Sequence, residues 1–393
     1  MSQSVAERYL TLGLQIGRHV EGIVDSYYGP PELAAAVEAE PPVDPAVLVS
    51  VAEELLLELE DGWLRDQIAG LRTYAGVLAG ESRSYADEAE GCYGVRPTRT
   101  DEAVFAAAHD RLDELLTGEG ALAGRVEAWE ASIRVPSEKI EATVAAVIEE
   151  ARAQTRGLVA LPEGEGVALQ TVRDVPWMAF CEYQGALRSE ISVNLDLPLS
   201  ALHLLVVALH ETYPGHHTEA CCKEDLLVRG RGMLQQTIAL VPTPQSLITE
   251  GIATVAPTLL LEGDGGPALA DVTHRAGIEL DLAQALAVEQ AREPLRWAEV
   301  NAALMLQEDG LSEAEVHAYL VRWALLTPQL ADHVIRFFKR PASRNYIVTY
   351  PAGRSLCEAY VAGDPSRFRR LLTEPVRVGE LLEARHATAS TSA

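Results

Sequence analysis

The sequence predicts a mainly helical α+β fold in which a small antiparallel sheet interrupts two runs of helices. Three observations lead there. Apolar residues make up 48% of the 393-residue chain and aromatic residues only 6%, a composition typical of a helix-rich globular protein. Apolar residues recur every three to four positions through the first 160 residues or so, and again from about residue 243. Between these runs, VALQTV, WMAFCEY and ALRSEISVNLDLP carry the alternation and β-branched residues of strands, bounded by Pro176, Gly185 and Pro198.

Taken in order, Val5, Tyr9, Leu12, Ile16, Val20 and Ile23 define a first helix that Pro30 and Pro31 stop. The stretch from Pro45 to Gly80 repeats the pattern. TDEAVFAAAHDRLDELLTG does so too, with Thr100 as its N-cap, acids in its first turn and Gly118 at its close. Another helix starts at Ser137. After the sheet, Ser200 caps a helix running into the most distinctive motif of the chain. Helices are then expected over about 243–262, 267–307, 312–326 and 328–338, with Ser312 and Glu315 as a capping box. No low-complexity linker intervenes. A helical subdomain over 1–160 and a second over 161–386 are therefore expected within one folded unit, followed by a mobile tail over 387–393.

The 32 basic and 58 acidic residues give a formal charge of −26, which repels phosphate backbones and anionic lipid surfaces and argues against nucleic-acid or membrane partners. The five cysteines are scattered and odd in number, so they read as reduced thiols; vicinal Cys221 and Cys222 read as small buried hydrophobes. MSQSVAERYL lacks the basic-then-apolar order of a secretion signal, and no apolar run reaches membrane-spanning length. A cytoplasmic protein is expected.

The motif is LLVVALHETYPGHHTEACC, residues 204–222. Two histidines one helical turn apart, with a glutamate after the first, form the H-E-x-x-H zinc device, in which both imidazoles grip one ion and the carboxylate acts as base. Here the fourth position after His210 is Pro214, and in a regular helix His216 would point about 120° away from His210. Pro214 removes an amide and Gly215 tolerates unusual backbone angles, so two residues looped out would return His216 to the face of His210. His216 is thus favoured over His217 as second ligand. A third ligand is found in SLITEGIATVAPTLLLE, where Glu250 sits among Leu247, Ile248, Ile252 and Val255; a carboxylate on so apolar a face needs a metal or a charged partner. Gly251 would let this helix pack closely against the motif helix. His203, one heptad before His210, reads as an ordinary helix-face residue.

With HETYPGHHTE at 210–219, EGIA at 250–253, DSYYGPPEL at 25–33 and YPAG at 350–353, the chain resembles the bacterial domain of unknown function 885, which looks like a divergent relative of gluzincin metallopeptidases. The resemblance implies a large helical metallopeptidase-like fold around a cleft, zinc at His210, His216 and Glu250, and Glu211 as general base. On that reading a metal-activated water cleaves a peptide or other amide bond. Tyr350 is the expected oxyanion donor, with Tyr346 as fallback. Arg354 is expected to bind a substrate carboxylate. ALRSEISVNLDLP is expected to be the edge strand that pairs with an extended peptide, with Asn194 orienting substrate there. Two other functions fit the same residues: a metal-dependent hydrolase or lyase of a non-peptide small molecule, and a catalytically silent helical binding protein.

Overall fold

Side-chain caps set many of the helix starts. The computed structural model describes residues 3–175 and 177–391. Ser4 and Glu7 form a capping box on Val5–Gly17, Ser312 and Glu315 another on Glu313–Trp323, and Ser200 Oγ accepts from the His203 amide at 3.2 Å to open Ala201–Glu211. One predicted cap moves by a residue: Asp101, not Thr100, accepts from the Ala103 amide, while the Thr100 amide donates to Asn301.

Long predicted helices are divided by turns. The stretch from Pro45 to Gly80 breaks at Asp61-Gly62 into Pro45–Glu58 and Trp63–Leu78. That over 267–307 becomes Gly266–Arg275, Leu282–Arg292 and Arg296–Gln307, the first ended by Gly277 at φ +74°. The first helix stops at Gly17, and its expected continuation is instead strand β1, Val24–Tyr27. The tail expected to be mobile continues the final helix, Val378–Thr391; its last two residues lie outside the described residues.

Three strands follow the N-terminal helices: β2 (Gly166–Val172), β3 (Ala179–Gly185) and β4 (Arg188–Asn194). Their order is β2-β4-β3, with β4 parallel to β2 and antiparallel to β3. The sheet is therefore mixed rather than wholly antiparallel. A two-residue turn at Ala186 and Leu187, with φ of +51° and +61°, joins β3 to β4. ALRSEISVNLDLP thus supplies the central strand, and the edge strands are β2 and β3. Strand β5 (Ile238–Leu240) pairs antiparallel with β1 in a separate two-stranded ribbon.

The metal-motif helix buries one face and leaves the other half open. Leu202, Leu205 and Leu209 join a core cluster with Ile140, Val144 and Val147 of the Ser137–Thr155 helix, whereas His203, Val206 and His210 stay partly accessible. The larger core cluster crosses residue 160 freely: Phe105 and Leu112 share it with Leu304 and Leu320.

Gly251 does permit close helix packing, but its neighbour is Thr349–Val361 rather than the motif helix. A Cβ on Gly251 would lie 2.5 Å from the Gly353 carbonyl oxygen, and one on Gly353 would lie 2.3 Å from the Leu247 carbonyl oxygen. Both obstacles are backbone, so neither can swing aside. Gly353→Ala should therefore lower stability by ~1–3 kcal/mol, read as a fall in the urea midpoint; an unchanged midpoint would show that these helices can separate freely.

Candidate metal centre

The motif helix breaks where the sequence places proline and glycine. Ala201–Glu211 ends, Thr212 takes φ −119° and ψ −93°, the Tyr213–Pro214 peptide is cis, and a new helix runs over His216–Lys223. The Gly215 amide bonds the Leu209 carbonyl and the Thr218 amide the Thr212 carbonyl, both at 3.2 Å. Each of these bonds spans six positions where an α-helix spans four, which is the two-residue excess read from the sequence. Gly215 is needed for room: a Cβ there would sit 1.8 Å from the His210 carbonyl oxygen.

The break turns His216 toward His210. Their rings meet edge to face with centroids 4.7 Å apart, and both point at Glu250 on Pro244–Leu261. His210 Nε2 lies 3.5 Å from Glu250 Oε2 and His216 Nε2 lies 3.7 Å from Oε1, and the three candidate ligand atoms fall within 4.8 Å of one another. Tetrahedral zinc bonds of about 2.0–2.2 Å hold ligand atoms roughly 3.3 Å apart, close to two of these spacings. Glu250 Oε1 accepts from the Tyr346 hydroxyl at 2.6 Å, while Oε2 is buried without a hydrogen-bond partner. An orphaned buried carboxylate oxygen between two imidazoles fits a divalent cation.

Electrostatics agree. Burial drives His216 down to about 4, so its imidazole stays neutral with a lone pair to give. Burial opposes protonation of His210 too, but the adjoining Glu250 and Glu211 carboxylates lift it overall. Burial raises Glu250, yet His216, His210 and Tyr346 outweigh it and keep Glu250 below its ordinary value.

His217, the alternative ligand, points the other way. Its ring is fully buried, with Nδ1 2.7 Å from Ser189 Oγ of β4 and Nε2 3.1 Å from Glu165 Oε2. Glu165 also accepts from the Tyr213 hydroxyl and from Arg152 Nε at 2.7 Å. Burial would raise Glu165, but these donors hold it at about 2. The two histidines thus divide the work: one faces the cleft and its neighbour fastens the loop to the sheet. Nothing local in the sequence links Glu165 to His217, since the bond spans 52 positions.

A cavity of about 460 Å³ opens onto the triad. Glu211 faces it; burial, then the Glu250 and Asp25 charges, raises it to about 7 against the pull of His210 and of the nearby Cys181 amide of β3. Tyr346 and Tyr350 stand edge to face, 5.6 Å between centroids. Tyr346 is committed to Glu250, whereas the Tyr350 hydroxyl has no hydrogen-bond partner among the described residues. Asp25 of β1, which the sequence reading left without a role, lines the same cavity.

Two proposed substrate contacts are spent elsewhere. Asn194 is buried, donates to the Val175 and Trp177 carbonyls and accepts from the Asp196 amide, so it braces the loop before β3. Arg354 lies outside the cavity lining, 3.8 Å from Glu293 and 3.9 Å from Glu358. Their residue types suit recognition, and only the tertiary contacts show them used in bracing. His203 sits on the open face of its helix in the field of Arg292 and Glu289, and Cys221 and Cys222 are buried free thiols as expected.

No protein-family model and no curated protein matches the chain. The likeness to domain 885 therefore rests on the motifs alone. Among solved structures, the "putative lipoprotein" of Colwellia psychrerythraea aligns with TM-score 0.55 and 15% identity over 88% of this chain and 66% of its own. A "putative lipoprotein of unknown function" from Shewanella oneidensis aligns with TM-score 0.52 and 12% identity over 99% and 74%. The chain spans just under two thirds of the first neighbour. At such identities the likeness shows a shared fold and nothing further.

Two predictions follow from this geometry. His210→Ala, His216→Ala and Glu250→Ala should each abolish metal retention by elemental analysis, while His217→Gln keeps it; loss in the last variant alone would reverse the ligand assignment. The second concerns acid. A carboxylate depressed in the fold stabilises above its unfolded value of 4.5 and loses that contribution as pH falls toward 2. Glu165→Gln should be markedly less stable than wild type at pH 7, with the gap in urea midpoint narrowing below pH 4.5; a pH-independent gap would refute the linkage.

Proposed function

We propose that the protein is a zinc-dependent hydrolase of peptide or other amide bonds. The observation that carries this reading is the convergence of His210, His216 and Glu250 on one point, with Glu250 Oε2 unpaired and Glu211 beside them at the cleft wall. Two imidazoles and one carboxylate are the ligand set of catalytic zinc sites, which keep a further position open. A bound divalent ion there supplies Lewis acidity toward a water and a carbonyl oxygen.

The remaining work belongs to the chain. Glu211, at the cleft wall, takes a proton from the attacking water and delivers it to the leaving amine. Tyr350 offers its hydroxyl to the developing oxyanion, and Tyr346 orients Glu250, as outer hydrogen bonds to ligands commonly do. Strand β3 is paired on one side only, and Phe180 and Cys181 on it face the cavity, so an extended substrate would add along its other edge. Among the described residues no helix is long and apolar enough to cross a membrane. A cytoplasmic location is part of the proposal: all five cysteines are free and four are buried, which suits a reducing compartment, although the solved neighbours carry the name lipoprotein.

Zinc-loaded protein should cleave peptide or amide substrates. Glu211→Gln should keep its metal yet lose about 10²–10⁴-fold in turnover, and Tyr350→Phe should lose about 10²-fold or more with metal content unchanged. Full turnover in Glu211→Gln would remove the proposed base.

A further inference from the structure

Four carboxylates, those of Asp25, Glu211, Glu219 and Glu250, line the cavity against a single ammonium among the described residues, that of Lys223. Asp25 lines the cavity from an exposed position, and its carboxylate makes no hydrogen bond or ion pair among the described residues. Its position is built. Val24 and Ser26 pair with the adjacent residues Leu240 and Ala239, so Asp25 is the extra residue of a β-bulge, a device that re-aims one side chain beside a functional site. The bulge sets Asp25 in the field of Glu250 and of Glu211, on the wall formed by β1.

A second observation comes from another part of the same cavity. Glu219, 3% exposed on the His216–Lys223 helix one turn after His216, spends Oε1 on Lys223, Gln245 and Thr249, and its Oε2 is buried without any donor. Lys223, the one ammonium in the lining among the described residues, is already held by Glu219. The divalent ion proposed above answers Glu250 Oε2, while Glu219 Oε2 keeps no donor and the exposed Asp25 carboxylate has no protein partner among the described residues. Aromatic side chains supply much of the remaining wall, nine of the chain's 22, among them Tyr28, Trp177 and Phe180. Carboxylates and π-faces both attract an organic cation, and aromatic walls accept an apolar side chain.

We infer that the substrate presents a free primary ammonium beside its scissile amide, and that Asp25 is the specificity-determining residue that receives it. The chain would then act on unblocked amino termini or on small amino-acid amides. This rests on the hydrolase reading and narrows it. An acetylated amine carries no charge and fewer donors, so it leaves Asp25 unpaired and loses the charge-assisted bond.

The test compares leucine p-nitroanilide with its N-acetyl derivative on the zinc-loaded protein. The free amine should be preferred in kcat/KM by about tenfold or more, the scale of one charge-assisted hydrogen bond. In Asp25→Asn that ratio should fall to near one; because it is an internal ratio, a partly misfolded preparation does not imitate the result. Should Asp25→Asn not fold, the wild-type preference stands as the readout. If neither anilide is cleaved, the hydrolase reading fails separately, and calorimetry with leucinamide against N-acetyl-leucinamide decides this one. Equal turnover, equal binding, or no binding of either amide overturns it.

Discussion

A carboxylate held inside an apolar helix governs this structure. Glu250 lies among Leu247, Ile248, Ile252 and Ala253, all essentially inaccessible, and one of its oxygens meets no donor. Unpaired burial of that kind costs several kcal/mol, so the surrounding architecture must answer it. Tyr346 answers one oxygen, and the two imidazoles frame the space in front of the other.

Delivering those groups requires backbones to approach more closely than side chains ordinarily allow. At Gly215 the looped chain passes so near the His210 carbonyl that no Cβ fits, and at Gly251 and Gly353 two helices touch backbone to backbone. The first contact turns His216 back toward His210. The second brings the segment bearing Tyr346 and Tyr350 to Glu250. Glycine costs helix stability where it stands mid-helix, and here the return is a set of side chains fixed on rigid elements, as a preorganised site needs.

The adjacent network of His217, Glu165, Tyr213, Ser189 and Arg152 plays a complementary part. It ties the looped residues to β4 and to the Ser137–Thr155 helix, with Arg152 alone reaching solvent. Two neighbouring histidines are thereby kept apart in role: His217 is saturated by the fold, and His216 is left free to face the cleft. The same contrast separates Tyr346, already bonded, from Tyr350, whose hydroxyl is uncommitted, and Asn194, fully bonded, from Asp25, which is not.

Much of this was legible in the residues themselves. Helical recurrence gave the mainly helical class; Ser200 and Ser312 gave their helix starts; Pro214 and Gly215 gave the two-residue excess, and the apolar setting of Glu250 gave the third corner of the triad. Each of these is local, carried by spacing along the chain or by the conflict of one residue with its neighbours. Pairings between distant segments were decided only in three dimensions. The central place of β4, the ribbon that makes Asp25 a bulge residue, the partner Glu165 for His217, and the bracing that occupies Asn194 and Arg354 all depend on segments meeting across many positions. Sequence fixes a side chain's chemistry and its local direction, but whether a polar group is already satisfied or still open to a ligand is settled by what the fold packs against it.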